Sequence, residues 1–370
     1  MTDIRNITIS GLKLFIESDE YRHMPVIPIS KHRAIAHLNN PSADANDKVL
    51  FLAYDDNRFV GYLGAMPDIL TIDGNKIKVA WLSCMWVDSS QRGKGIAPAL
   101  LTHAHKIWEG NLLITNFIPI AKRAYDKTAL FTELKNLPGI RGYLRLNLSG
   151  ILPEKKPFLK KFRWLLKFSD ALLNIPNEIR LIRWKSAFAA KKSDFEYVNY
   201  IDDETYALIK SLIKNHIAPK SIENLQWLMQ YPWIINAPFG DRNSNRYIFS
   251  AVKKDFRQFY IKLYNVDKEL IAFLILTLKD GILKTPYLFF DKKNLLPVMR
   301  TIFAHALVRG VKTLTTYHPL LAGHLSGSST PFIYKKKMNF RILAAKQLVT
   351  NSGISEHHYF MEGDGDAASV

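Results

Sequence analysis

MWVDSSQRGKGIAPALL, residues 85–101, carries an apolar strand into an amphipathic helix through a loop that holds Gly93 and Gly95. Behind the loop, Ile96, Ala97, Leu100, Leu101, Ala104, Ile107 and Trp108 recur at about 3.6 residues per turn, which places them on one helix face. Pro98 falls in the first turn, where a missing N–H leaves no bond unmade, and Gly110 closes the helix. Glycines at such a turn let the backbone approach an anion closely. The first N–H groups of the helix have no intrahelical partner and carry the positive end of its dipole. Arg92 and Lys94 add charge-assisted donors. The stretch predicts a cradle for a phosphate-bearing ligand.

Working outward, Val49 to Tyr54 and Phe59 to Gly64 flank an Asp-Asp-Asn turn, and Ile69 to Ile72 and Ile77 to Val87 flank Asp73-Gly74-Asn75. Both read as hairpins. Leu112 to Phe117 reads as a buried strand, a helix begins near Ala121, and Arg141 to Leu148 reads as a closing strand. Antiparallel hairpins before the loop exclude a Rossmann unit, which also needs a glycine where Pro98 stands. A Walker A loop needs G-x-x-x-x-G-K-[ST], which is absent.

Arg92-Gly93-Lys94-Gly95-Ile96-Ala97 fits in full the acyl-CoA loop [QR]-x-x-G-x-[GA] of the GNAT acetyltransferases, and residues 45–148 resemble the core of that superfamily. The resemblance implies acetyl-CoA as co-substrate. The N–H groups of Arg92 to Ala97 would hold its pyrophosphate, and Met85, Trp86 and Val87 would expose main-chain groups to the pantetheine arm. It also implies a proton donor to the departing thiolate, for which the A-x-x-x-Y-x-x-x-[GA] pattern offers Ala121, Tyr125 and Ala129. A phenol with a pKa of about 10 can protonate a thiolate when water is scarce. The family's pantetheine-binding asparagine is replaced by Ile118, with Asn116 nearby as its substitute. The general base is open: Asp68, Asp88, His103 and His105 read as surface groups, and a water chain or a residue of the C-terminal half is the alternative.

The C-terminal half resembles a second, degenerate copy. Leu52 to Tyr54 matches Leu263-Tyr264, Tyr125 with Phe131 matches Tyr334 with Phe340, and strand 283–290, helix 295–309 and strand 311–317 repeat the element order. Where the first copy has its glycine loop, the second has Asp291-Lys-Lys-Asn294. The expected fold class is α/β with mixed α+β layers: two GNAT-like domains, each a mostly antiparallel twisted sheet flanked by helices. The expected division is residues 1–150 for acetyl-CoA, 151–200 as a basic and aromatic connector, and 201–370 shaping the acceptor site.

The formal net charge is +18, and residues 151–200 alone carry 11 basic against 5 acidic residues. That excess favours anionic ligands, membrane surfaces or nucleic acid without choosing among them. The connector is expected to pack its aromatics between the domains, with a membrane-surface or polyanion contact through 155–185 as the rival reading. No sequence-specific nucleic-acid binding is expected. No secretory leader and no apolar run of about 20 residues is present, which points to a cytoplasmic protein.

The single cysteine, Cys84, reads as a small core residue. No histidine spacing matches a metal site, so no metal is expected; His357-His358 reads as a tail dipeptide and Glu362 to Asp366 as a solvated terminus. The function these features imply is direct transfer of acetyl from acetyl-CoA to a primary amine of a small molecule, such as an amino sugar or polysaccharide precursor. The alternatives are a non-catalytic acetyl-CoA-binding scaffold and transfer of a different acyl group.

Overall fold

The computed structural model describes residues 2–115, 117–188, 195–237 and 246–366. The first part runs β1 (Asp3–Thr8), α1 (Ile9–Glu17), α2 (Asp19–His23), α3 (Lys31–Leu38), β2 (Lys48–Asp55), β3 (Arg58–Ile72), β4 (Asn75–Val87), α4 (Ile96–Ile107), β5 (Leu112–Ile114), α5 (Pro119–Thr128) and β6 (Phe131–Tyr143). Next come α6 (Leu148–Lys155), α7 (Arg163–Ala187), β7 (Phe195–Tyr197), α8 (Asp203–Leu212), α9 (Ile222–Gln230), β8 (Ile235–Asn236) and β9 (Val252–Lys253). The last part is β10 (Phe256–Tyr264), β11 (Leu270–Lys279), β12 (Ile282–Phe290), α10 (Leu295–Val308), β13 (Thr313–Thr316), α11 (Pro319–Gly327), β14 (Tyr334–Ala345) and α12 (Lys346–Ser352).

Twelve strands form one sheet in the order β1-β2-β3-β4-β5-β14-β6-β13-β12-β11-β10-β7. It is antiparallel except where β4 meets β5 and β12 meets β13. The mixed α/β fold with a mostly antiparallel sheet is as expected, and the two sheets run on into one. The join is an exchange: β14, from the far end of the chain, inserts between β5 and β6, and β6 in turn pairs with β13.

Strand β2 shows why its sequence is a continuous apolar run. Leu50, Leu52 and Tyr54 pack under the α1–α3 layer, while Phe51 and Ala53 face α4, so both faces are buried. Helix α4 docks through Ile96, Leu100, Leu101 and Ala104, as its periodicity predicts. A third core spans both halves, bringing Trp81, Tyr287 and Ile342 together with Ile209 of α8 and Leu228 of α9.

Three expectations change. The closing strand is β6, which starts at Phe131 and ends at Tyr143 before the expected Arg141–Leu148 run is complete; Pro138 and Gly139 inside it hid the strand from a propensity reading. Tyr125 lies in α5 whereas Tyr334 opens β14, so those two do not correspond, although β2 and β10 do. The connector buries its aromatics only at its end: Phe188 stacks between Trp184 and Phe303 in the core, while Trp164 and Phe168 are 71% and 64% exposed.

A fragment ending at Gly150 lacks β14, leaving β5 and the whole of β6 without their shared neighbour. Such edges aggregate. The expected outcome is a fragment that is insoluble or without a cooperative melting transition, checked by soluble yield and circular dichroism; a stable soluble fragment would refute the exchange.

Candidate active site

The loop is laid out as an open cradle. Asp88 caps a short turn by accepting from the Ser90 N–H and hydroxyl, which with Arg58 holds its carboxyl below the ordinary range. Gly93 and Gly95 then take φ of +88° and +84°, values that disfavour any side chain. A Cβ on either would meet no atom within 4 Å, so the space above the loop is open. Gly95 is also the N-cap of α4 and supplies no side-chain cap, which leaves the first helical N–H groups facing that space. Arg92 and Lys94 are exposed around it.

Beside the loop the sheet splits. Strand β4 pairs with β5 only through Ala80, Trp81 and Leu82, opposite Leu112, Leu113 and Ile114. From Ser83 onward β4 keeps, among the described residues, β3 alone as a neighbour, so Met85, Trp86 and Val87 line an edge. A bulge sets the split, with Cys84 and Met85 together opposing Leu63 and Cys84 held at φ +53°. Trp86 stacks on Phe59 at 5.8 Å on the face away from α4.

Tyr125 approaches from α5. It is buried, between Phe117 at 6.0 Å and Phe131 at 5.9 Å. Burial, then the acidic neighbours Asp366 and Cys84, raise its pKa well above the phenolic range, so it stays protonated. Ala129 ends α5 at φ +55°, a left-handed conformation that favours glycine and that alanine takes under strain. Asn116 lies outside the described residues.

Three of the four surface candidates for a base are engaged. Asp68 is a correction to its surface reading: it is buried, accepting from Trp81 Nε1 at 3.0 Å and Lys220 Nζ at 2.7 Å. Asp88 is the cap just described. His103 bonds Asn6 at 2.9 Å, and burial lowers the pKa of both His103 and His105.

The larger correction is the chain end. Glu362, Asp364 and Asp366 are buried, not solvated. Asp364 accepts from His216 Nε2 at 2.8 Å, the Met361 N–H at 2.7 Å and Tyr287 at 3.3 Å. Asp366 accepts from Arg33 Nη2 at 3.2 Å. Arg33 also reaches Ser83 Oγ at 2.8 Å and Cys84 Sγ at 3.2 Å, so it ties the end of the chain to the β4 bulge. Cys84 is thus a bulge residue whose thiol pKa burial raises.

The second half repeats the split. Strand β12 pairs with β13 through Ile282 to Lys284 and has a bulge at Thr285-Pro286 opposite Leu276. Here the edge is met from within the chain: the Gly363 N–H donates to Pro286 O at 2.9 Å. The turn into α10 has Asn294 at φ −95° in place of a left-handed glycine. Glu362 sits beside this split, with neither carboxylate oxygen in hydrogen-bond geometry. Burial raises its pKa to about 7 against the pull of Lys284, Arg141 and the nearby Thr285 N–H. Asp366 is felt by Lys284 as well as by Tyr125, so the two splits share one polar seam.

Sequence reasoning missed this seam. Its trace is the alternation Gly363-Asp-Gly365: a Cβ would stand 2.3 Å from the Tyr287 ring at Gly363 and 2.8 Å from Trp81 at Gly365.

Comparison with known proteins bears on residues 46–131, which match the model of the acetyltransferase (GNAT) domain. No curated protein matches the chain. Among solved structures, an N-myristoyltransferase of Saccharomyces cerevisiae with bound myristoyl-CoA superposes with a TM-score of 0.50 at 11% identity, covering 93% of this chain and 83% of that one. A probable N-acyltransferase of Enterococcus faecalis gives 0.47 at 10% identity, covering 94% and 73%. A GCN5-related N-acetyltransferase of Kribbella flavida gives 0.47 at 10%, covering 92% and 70%. At these identities the likeness is one of fold.

Glu362 makes stability depend on pH. Its folded pKa of about 7 exceeds the ordinary 4.5, so its stabilising protonated form is lost relative to the unfolded chain as pH rises from 4.5 through 7. Glu362→Gln stays neutral. It should therefore melt higher than the parent at pH 8, by on the order of 3 kcal/mol in stability, and the two should converge as the pH falls toward 4.5. Calorimetric melting across that range checks it; identical profiles would refute the buried acid.

Proposed function

We propose that this chain, whose residues 46–131 match the acetyltransferase (GNAT) domain, is an acetyl-CoA-dependent N-acetyltransferase acting on a primary amine of a small molecule. The observation that carries the reading is the open, uncapped glycine loop lying at the end of a strand edge that β5 leaves free. The N–H groups of the α4 start, with Arg92 and Lys94, suit a pyrophosphate. Met85, Trp86 and Val87 suit an extended amide-bearing arm. An acyl-CoA supplies a thioester carbonyl.

The chain's own residues divide the remaining work. An acceptor amine is protonated at neutral pH and must lose a proton before it attacks. Glu362, buried with both oxygens unsatisfied and half ionised near pH 7, is the group we assign to take that proton. Asp366, fixed by Arg33, offers a carboxylate to the incoming ammonium. Tyr125, kept protonated, gives its proton to the leaving sulfur. The second half, whose turn at Asp291 to Asn294 has no glycine, shapes the acceptor cleft and takes no cofactor. An amino sugar or polysaccharide precursor fits the family's range and the basic surface.

A second reading has a specific support. The yeast enzyme that shares the fold over 93% of this chain holds a long acyl chain, so the donor here is alternatively a longer acyl-CoA. Turnover against acyl-CoA of increasing length, with a common amine panel, separates the two. Acetyl-CoA should be bound at micromolar affinity and raise the melting temperature. Gly95→Asp places a carboxylate against the pyrophosphate and a side chain at φ +84°, and should abolish that binding by calorimetry. Unchanged binding would move the site away from residues 92–97.

Tyr125→Phe removes a proton donor without removing the ring. The expected loss in turnover is about 10- to 1000-fold with little change in CoA affinity. Absence of CoA release with every amine tested, in parent and variant alike, would favour a non-catalytic acetyl-CoA-binding scaffold.

A further inference from the structure

Helix α7 is built inside out. It runs 25 residues, Arg163–Ala187. The side it turns to the body is mostly polar, with Leu181 alone of its apolar residues fully buried, in the core that Trp184 also touches. Asp170 accepts from the Leu148 and Ser149 N–H groups at 2.6 and 2.9 Å. Asn174 exchanges bonds with Leu146 N–H and C=O at 2.9 and 3.0 Å, and Asn177 donates to Leu144 O at 2.9 Å. Glu178 closes the ladder by pairing with Arg145. Together these side chains satisfy the backbone that follows β6, so the helix is held by fixed polar contacts along its inner side.

The opposite side is apolar and open. Trp164, Phe168, Leu172, Ile175, Ile179 and Ile182 are each more than half exposed. At about 100° per residue they fall within an arc of about 80°. Phe158 and Phe162, in the turn before the helix, extend the patch. Scattered exposed apolar residues are ordinary, but a stripe along a whole helix of a globular protein marks a partner.

Charge identifies the partner. Between Lys155 and Lys185 the chain carries nine basic residues and two acidic ones. Both acids are engaged: Asp170 is buried in the ladder, and Glu178 is paired with Arg145 and Lys185. Lys160, Lys161, Arg163 and Lys167 crowd the start of the stripe, and Arg183 flanks its end. A second copy of the chain would bring like charges together across the contact. A polyanion such as nucleic acid would leave the apolar stripe wet. A surface that is apolar beneath and anionic above meets both requirements. No helix among the described residues is long and apolar enough to cross a membrane; on such a surface α7 would lie in the interface, with lysine stems spread over the apolar edge and their ammonium groups in the headgroup layer.

We propose that helix α7, with the turn before it, docks this protein on the surface of anionic lipid membranes. The inference stands apart from the acyltransferase reading, since none of these residues belongs to the loop, the split or the seam.

The test is flotation of the full-length chain with phosphatidylcholine vesicles, with and without phosphatidylglycerol, at low and high salt. The expected result is co-flotation with the anionic vesicles, weakened by salt, and little with phosphatidylcholine alone. The triple variant Phe168→Ser, Ile175→Ser, Ile179→Ser alters only exposed positions, so it should melt as the parent does and bind the anionic vesicles at least about tenfold more weakly. Should the variant melt early, the salt and lipid dependence of the parent chain decides alone. A parent chain that stays in the aqueous fraction with both vesicle types overturns the proposal. So does a stable dimer by light scattering that the triple variant dissociates while vesicle binding is unchanged.

Discussion

Everything in this molecule is arranged around two places where parallel strands part. Strand β4 leaves β5 after Leu82, and β12 leaves β13 after Lys284. A strand edge inside a protein must find hydrogen-bond partners, because an unpaired buried amide costs about 1–3 kcal/mol. The two edges solve this differently. At β12 the chain's own final segment supplies the partner, through Gly363 and Pro286. At β4 the edge instead leads to the glycine loop, and the open side is available to a ligand. One fold element, used twice, is met from within the chain in one half and left open in the other.

The exchange of β14 and β6 is what holds those two places in register. Because β14 pairs with β5 at Leu343-Ala344 and with β6 along its length, the sheet cannot hinge between halves without breaking a central ladder. The chain then leaves β14 through α12 and returns across the middle of the molecule. Its acids are delivered to fixed points: Asp364 to His216, Asp366 to Arg33. Tyr125 and Glu362, which lie far apart in sequence, are set by one rigid sheet.

How much of this was legible followed from how local each signal was. The hairpins at Asp55 and Asp73, the loop from Arg92 and helix α4 are each fixed by a dozen residues, and each formed where its pattern placed it. Strand β6 was misplaced because its pairing is entirely with distant strands, and long-range pairing overrides the weak propensity of Pro138 and Gly139. The chain end looked solvated because three acids and two glycines read as a polar tail. In the fold those glycines are there for close approach to Tyr287 and Trp81, a fact that only the partner rings reveal. In α7 both kinds of residue were visible, but which face meets the body depends on the ladder to residues 144–149, which no periodicity contains.

The polarity of the central seam has a physical reason. Buried ion pairs such as Arg33–Asp366 and Lys220–Asp68 add little net stability, since desolvation offsets most of their attraction, and well-packed apolar side chains would serve stability as well. Removing one partner, however, strands a buried charge, so the pairs fix which residue meets which. An apolar seam would also be unable to admit a cationic amine, whose own desolvation must be offset by a waiting carboxylate. A Glu362 near neutrality would suit the proposed transfer: ionised it would attract the ammonium and accept its proton, and protonated it remains compatible with burial. Fully paired with Lys284 or Arg141, the same acid would be held ionised and too weak a base. The stability lost in burying this acid without a tight partner is what would let it move a proton at neutral pH.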